Sequence, residues 1–157
     1  MIRKLSLAAI CASLLFAQSA GPAAAQNVKS VAGTYSVVKV VAYGENARGQ
    51  MILGADGHYS IVLARATLPK FASGSRTKGT AEEHKAVIDG SIAHAGKYTI
   101  DDGGKSITFH IEMSTFPNWD GTTAKRALKV AGDSLTYTVT SPSAGGPPND
   151  VVWKRVK

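Results

Sequence analysis

SLTYTVT, residues 134–140, alternates along its whole length, with Leu135, Tyr137 and Val139 on one side and Ser134, Thr136, Thr138 and Thr140 on the other. Successive side chains of a strand point to opposite faces, so this segment predicts a β-strand with an apolar inner face and a hydroxyl-bearing outer one. The same period of two recurs in both directions along the chain. It predicts eight strands, at about residues 33–42, 49–54, 58–64, 96–101, 105–114, 122–131, 134–140 and 150–156. Asp56-Gly57, Asp102-Gly103-Gly104 and Gly132-Asp133 punctuate them with residues that tolerate the positive φ of tight hairpins, which makes consecutive strands antiparallel neighbours.

Eight antiparallel strands remove their unpaired edges by closing, and a barrel of that size holds side chains or one small ligand. The expected fold is all-β: an eight-stranded antiparallel up-and-down barrel. An open two-sheet sandwich is the alternative that alternation by itself leaves standing. The connection at 65–95 holds the one helical candidate. Thr80 as N-cap and Glu83 three residues later form a capping box, and His84, Ile88, Ile92 and Ala95 follow on one stripe, which predicts a short helix packed on the barrel or across its mouth. The other long connection, SPSAGGPPN at 141–149, is rich in Pro, Gly and Ser and reads as a loop.

Residues 1–25 read as a secretory signal peptide. Arg3 and Lys4 form a basic start, LSLAAICASLLFA at 5–17 an apolar run, and Ala23-Ala24-Ala25 a small-residue cleavage site, so the mature chain is expected to start near Gln26 in the periplasm or outside the cell. The apolar run is shorter than the ~20 residues that span a bilayer, and no stable membrane insertion is expected. Cys11, the one cysteine, lies inside the leader, and Ile10 before it is not the small residue that lipid anchoring needs. Residues 26–157 then form one domain that rests on a packed core without disulfides.

The chain carries 18 basic residues, two of them in the leader, against 11 acidic ones. The nearest thing to a cluster is Arg65, Lys70, Arg76, Lys78 and Lys85, with Phe71 alone among them to stack on a base, so no nucleic acid is expected as partner. A solvated basic loop is the plain reading, and attraction to anionic envelope surfaces or ligands the sharper one.

Candidate chemistry centres on FHIEMSTFPNWDGT, residues 109–122. In strand 105–114 one face carries Ser106, Thr108, His110, Glu112 and Ser114, and the other Ile107, Phe109, Ile111 and Met113. Burying each large apolar side chain is worth ~1.5–3 kcal/mol, which turns the second face inward and leaves His110 and Glu112 in water. The next strand argues the other way. Lys125 and Lys129 share a face that must point outward, which places Arg126 inside with Leu128 and Val130. An inward arginine needs an anion, and Glu112, with His110 alongside, is the nearest candidate. Trp119 and Phe116, in the turn that follows, either cap the cavity mouth or pack on the shell. Tyr59, Tyr98 and Tyr137 either offer hydroxyls to a ligand or satisfy them within the core.

His110 and Glu112 could chelate an ion only with a third ligand, and His58, His84 and His94 follow no recognisable spacing, so no metal is expected. Without a glycine-elbow serine, a mature cysteine or a phosphate loop, hydrolase and nucleotide chemistry have no foothold, and no cofactor is expected.

Several short stretches, taken in order, resemble the lipocalin-like domain proteins of bacteria and fungi, of the calycin type. They are Gly33-Thr34-Tyr35, Asp56-Gly57-His58-Tyr59-Ser60, Gly96-Lys97-Tyr98-Thr99, His110-Ile111-Glu112-Met113-Ser114, Pro117-Asn118-Trp119-Asp120-Gly121-Thr122, Arg126, Gly132-Asp133-Ser134-Leu135 and Val152-Trp153-Lys154-Arg155-Val156. Tyr35 stands where that family usually has tryptophan, and Phe109 where a second histidine often adjoins His110, which argues against two-histidine chemistry. The resemblance implies that Tyr35 and Arg155 close one end of the barrel. It also implies a cavity for a small hydrophobic molecule, with polar contacts from His110, Glu112 and Arg126. Its rival is an isomerase or cyclase in which His110 carries a proton, Glu112 orients it and Arg126 stabilises an enolate. A third reading is an envelope stress protein whose interior is only packed core.

Overall fold

The computed structural model describes residues 28–101 and 103–157, so the segment expected to be a leader, residues 26 and 27, and Asp102 lie outside the described residues. Eight strands form a closed barrel in sequence order: β1 (Gly33–Val40), β2 (Arg48–Leu53), β3 (His58–Ala64), β4 (Ser91–Asp101), β5 (Ser106–Ser114), β6 (Thr123–Ala131), β7 (Ser134–Val139) and β8 (Asn149–Arg155). Each pairs antiparallel with the next, and β8 returns to β1 through Tyr35 opposite Arg155 and Val37 opposite Trp153. Closure pairs every strand on both sides, and it removes the sandwich alternative.

Most of the interior is filled. Met51, Ile107, Phe109, Leu135 and Trp153 are wholly buried, with Tyr35, Leu53, Ile61 and Tyr137 nearly so. One end is plugged by a helical turn at residues 28–31, whose Val31 is buried. Carbonyls of that segment accept hydrogen bonds from the barrel: Tyr35 Oη donates to Val31 O at 2.6 Å, and Arg155 Nη2 to Ser30 O at 3.2 Å.

Helix α1 (Ala81–Gly90) carries the expected capping box, with Glu83 N donating to Thr80 Oγ1 at 3.2 Å and Thr80 N to Glu83 Oε2 at 2.8 Å. The helix ends earlier than its stripe suggested. From Ser91, which is fully extended, Ile92, His94, Gly96, Tyr98 and Ile100 sustain a period of two, so Ile92 and Ala95 belong to β4 and not to α1. α1 flanks the mouth rather than sealing it, and Ile88 remains 69% exposed. Among the described residues no helix is long and apolar enough to cross a membrane.

A second departure lies at the mouth end of β5. The pairing of β4 with β5 slips between Ala95 and Gly96, where Gly96 faces Ile111 but Ala95 already faces Met113. Glu112 is the extra residue of this β-bulge, and a bulge changes the face on which the following side chains fall. Met113, expected inside, is consequently 66% exposed. Val130, also expected inside, stands near the end of β6 and is partly open to solvent.

Candidate functional site

Strands β3, β4 and β6, the last separated from β4 by β5, carry polar side chains of the interior at the open end. β6 points Arg126 inward, as the outward phase of Lys125 and Lys129 requires, and β4 points His94 inward two residues before the bulge. β3 contributes Tyr59, whose hydroxyl lies 2.8 Å from His94 Nδ1. Arg126 is only 6% exposed and His94 5%. The guanidinium carbon of Arg126 sits 5.2 Å from the ring centroid of Phe109 and 4.9 Å from that of Tyr137, so two aromatic faces stabilise the cation. Among the described residues no carboxylate forms an ion pair with it.

The expected cluster is corrected here. β5 buries Ile107, Phe109 and Ile111, and that phase leaves His110 and Glu112 exposed on the outer wall. Arg126 lies opposite Ile107 in the β5–β6 register, so it meets the apolar face of that strand and not its acid. Burial of the apolar side chains outweighed the pairing of one arginine. His110 Nδ1 is 3.5 Å from Thr123 Oγ1 on the surface, and the triad of His110, Glu112 and Arg126 is not assembled.

The other expected residues divide by position. Tyr137 and Trp119 line the cavity beside Arg126, and Tyr59 reaches it through His94. Trp119 meets His94 edge-on with centroids 5.6 Å apart, and Phe116 packs against Trp119 at 5.8 Å. Phe116 itself faces an outer groove rather than the cavity. Tyr98 belongs to the closed end: four residues beyond His94 on β4, about 13 Å away, it donates to Gly54 O at 2.9 Å.

His94 is the residue that the sequence reading left out. Its signal was the alternation of His94, Gly96, Tyr98 and Ile100, masked by the helical stripe that borrowed Ile92 and Ala95. Tyr43, Pro142 and Ser143 also line the cavity, from connections in which no period tells which side chains turn inward.

The cavity is narrow, about 50 Å³, with walls from Val40, Leu63, Ile92 and Val139. It shares Tyr43, Ile92, Ser143 and Ala144 with a groove of about 570 Å³ between the mouth and α1. The small chamber with its cation therefore adjoins a larger apolar vestibule.

Burial sets the protonation of this chamber. It pushes His94 down to about 3, with the nearby Arg126 cation acting in the same direction, so the imidazole is neutral. Burial pushes the Tyr59 and Tyr137 phenols up, and Arg126 draws each part of the way back. At neutral pH the chamber thus holds one cation, neutral hydrogen-bonding groups and no anion of its own. Among the described residues no group of three or more His, Cys, Asp or Glu is placed to hold a metal ion.

A closed eight-stranded barrel with a polar group or two at the base of an apolar mouth is the architecture of small-molecule binding barrels. The chain belongs to the lipocalin-like domain family, whose model matches residues 26–156. It is also similar to the 4'-hydroxy-3'-methoxypropiophenone carrier protein of Aspergillus oryzae, with 28% identity over 89 residues that make up 53% of this chain and 80% of that one.

Proposed function

We propose that this barrel is a carrier that holds a small, mainly apolar aromatic molecule, with its polar edge in the chamber beside Trp119 and its body in the vestibule beside α1. The observation that carries the reading is Arg126: a buried arginine without a carboxylate, at the base of an apolar chamber, supplies the few polar contacts that orient a ligand in such pockets. The similarity to a carrier of a phenyl ketone supports an aromatic ketone as the ligand class. The leader read in residues 1–25 supports export, and N-terminal sequencing of the exported chain should then begin near Gln26.

The enzymatic rival is weaker on this geometry. Proton transfer needs a group that titrates near the working pH. In the chamber His94 is held neutral at about 3, and the buried phenols are pushed upward.

Propiophenone titrated into the purified protein and followed by calorimetry tests the carrier. Saturable binding that Ile92→Trp abolishes by filling the passage is the expected result. If propiophenone and a panel of other phenyl ketones show no saturable binding to the native protein, the carrier reading fails.

A further inference from the structure

We propose that the barrel takes its ligand as an anion: an acidic phenol oxygen, with an acyl group across the ring, gives up its proton and seats on the guanidinium of Arg126. This rests on the carrier reading above and adds the charge state and orientation of the ligand.

Arg126 is a formal cation held where water scarcely reaches it. An isolated buried charge is costly unless it is paired, and arginine does not shed its proton to escape the cost. The rings of Phe109 and Tyr137 offset part of that cost through the faces of the guanidinium, but the N–H donors lie in its plane. The Tyr137 hydroxyl oxygen accepts a hydrogen bond from the guanidinium, but a neutral oxygen leaves the charge unbalanced, and an anionic oxygen makes the stronger bond. Among the described residues none lines the chamber: Glu112 stands outside, and the polar groups around Arg126 there, His94, Tyr43, Tyr137, Ser143 and Asn149 with the Tyr59 phenol bonded to His94, include no carboxylate. The vacancy in the charge balance is therefore one that a ligand can fill.

The walls narrow the kind of anion. A compact, heavily hydrated ion would meet Val40, Leu63, Ile92 and Val139 in place of its water. The chamber of about 50 Å³ takes only the oxygen-bearing edge of a flat ring, and the rest of the molecule continues past Tyr43 into the vestibule. An acyl group para to a phenol withdraws electrons from its oxygen, so the phenolate forms readily beside a cation. The phenol O–H bond breaks, the oxygen keeps the electron pair, and the proton passes to solvent because no base in the chamber can hold it. The imidazole of His94, with Nδ1 engaged by Tyr59, has Nε2 as its remaining hydrogen-bonding atom for the ligand.

The test compares 4'-hydroxypropiophenone with its methyl ether, 4'-methoxypropiophenone, which has the same ring and ketone but cannot ionise. Both are titrated into the full chain by calorimetry, at a pH where the free phenol is protonated, while the absorbance spectrum of the bound phenol is recorded. The phenol should bind at least about tenfold more tightly than the ether, the difference expected of a charged hydrogen bond. Its bound spectrum should show the long-wavelength band of the phenolate. Arg126→Leu should abolish the band and bring the two affinities together, whereas Arg126→Lys should retain part of both effects. The comparison of the two probes on the native protein needs no variant, so a misfolded Arg126→Leu protein would not spoil it. Equal affinities together with a phenol-like bound spectrum would overturn the anion proposal and leave the carrier reading intact. If neither probe binds saturably, both proposals fall.

Discussion

Arg155, near the end of the last strand, lies across the ring of Tyr35 near the start of the first, its guanidinium carbon 4.8 Å from the ring centroid. Both side chains then donate to the segment that plugs the barrel: Tyr35 to Val31 O, and Arg155 to Ala32 O and Ser30 O. One stacked pair thus joins the two strands that close the barrel and also holds its stopper in place. The pairing implied by the family resemblance is present, with tyrosine doing the work of tryptophan.

Arg155→Leu removes the stacking and leaves Ala32 O and Ser30 O without their charged donor. We expect a loss of about 2–3 kcal/mol in urea denaturation. Arg155→Lys should recover less than half of this, because an ammonium neither stacks flat on Tyr35 nor reaches two carbonyls in a fixed fork. Full recovery by lysine would show that charge alone matters at this end.

Arg126 behaves differently, because it is buried without a protein anion. Arg126→Leu should leave the ligand-free barrel as stable as the native protein or somewhat more so, since a leucine in this apolar chamber carries no desolvation cost. Glu112→Gln, on the outer wall, should cost under about 1 kcal/mol, and in the double variant the two effects should add to within about 0.5 kcal/mol. A coupling energy above about 1 kcal/mol in that cycle would restore the ion pair between them that the register separates.

His94 gives the barrel an acid sensitivity. Its pKa falls from 6.5 to about 3 on folding, so below pH 6.5 the unfolded chain binds a proton that the folded barrel refuses. Stability is then complete above 6.5 and declines as the pH drops toward 3, by about 2–3 kcal/mol at pH 4.5. Urea titrations at pH 7 and 4.5 on the native protein and His94→Gln isolate this contribution. Exposed carboxylates such as Asp56 and Glu83, whose pKa values are also lowered, affect both proteins alike and cancel in the difference. Identical acid losses in the two proteins would mean that His94 is protonated without penalty.

The barrel was legible because burial divides each strand into two faces, and a period of two survives in the sequence wherever that division holds. The inward turn of Arg126 was legible for the same reason, through the lysines on either side of it. Its surroundings were not. Which residue faces Arg126 depends on the register of two strands, and Ile107 and Glu112 both lie on β5, five residues apart and on opposite walls. His94 was hidden by a coincidence of periods, since Ile88, Ile92 and Ala95 suit a helix as well as the end of one and the start of a strand. The break between them is set by the extended Ser91, which pairs with Ala64 of β3, and by the bulge farther on against β5.

That bulge turns on Gly96. A Cβ placed there would come within 2.1 Å of His110 O and 2.8 Å of Glu112 N, both main-chain atoms that cannot swing aside, and its φ of +156° is one that residues with a side chain rarely adopt. Gly96→Ala must push β4 and β5 apart where β4 carries His94 into the chamber, and should cost on the order of 3 kcal/mol or more. Gly121→Ala is the control: at φ +71° it meets nothing within 4 Å, so it bears only the strain of the left-handed backbone, about 1–2 kcal/mol. Urea denaturation of the two variants compares a steric clash in the wall with conformational strain in an open turn. If Gly96→Ala proves no more harmful than Gly121→Ala, the close approach at the bulge does not constrain the barrel, and the placement of His94 must be held by the strand pairing alone.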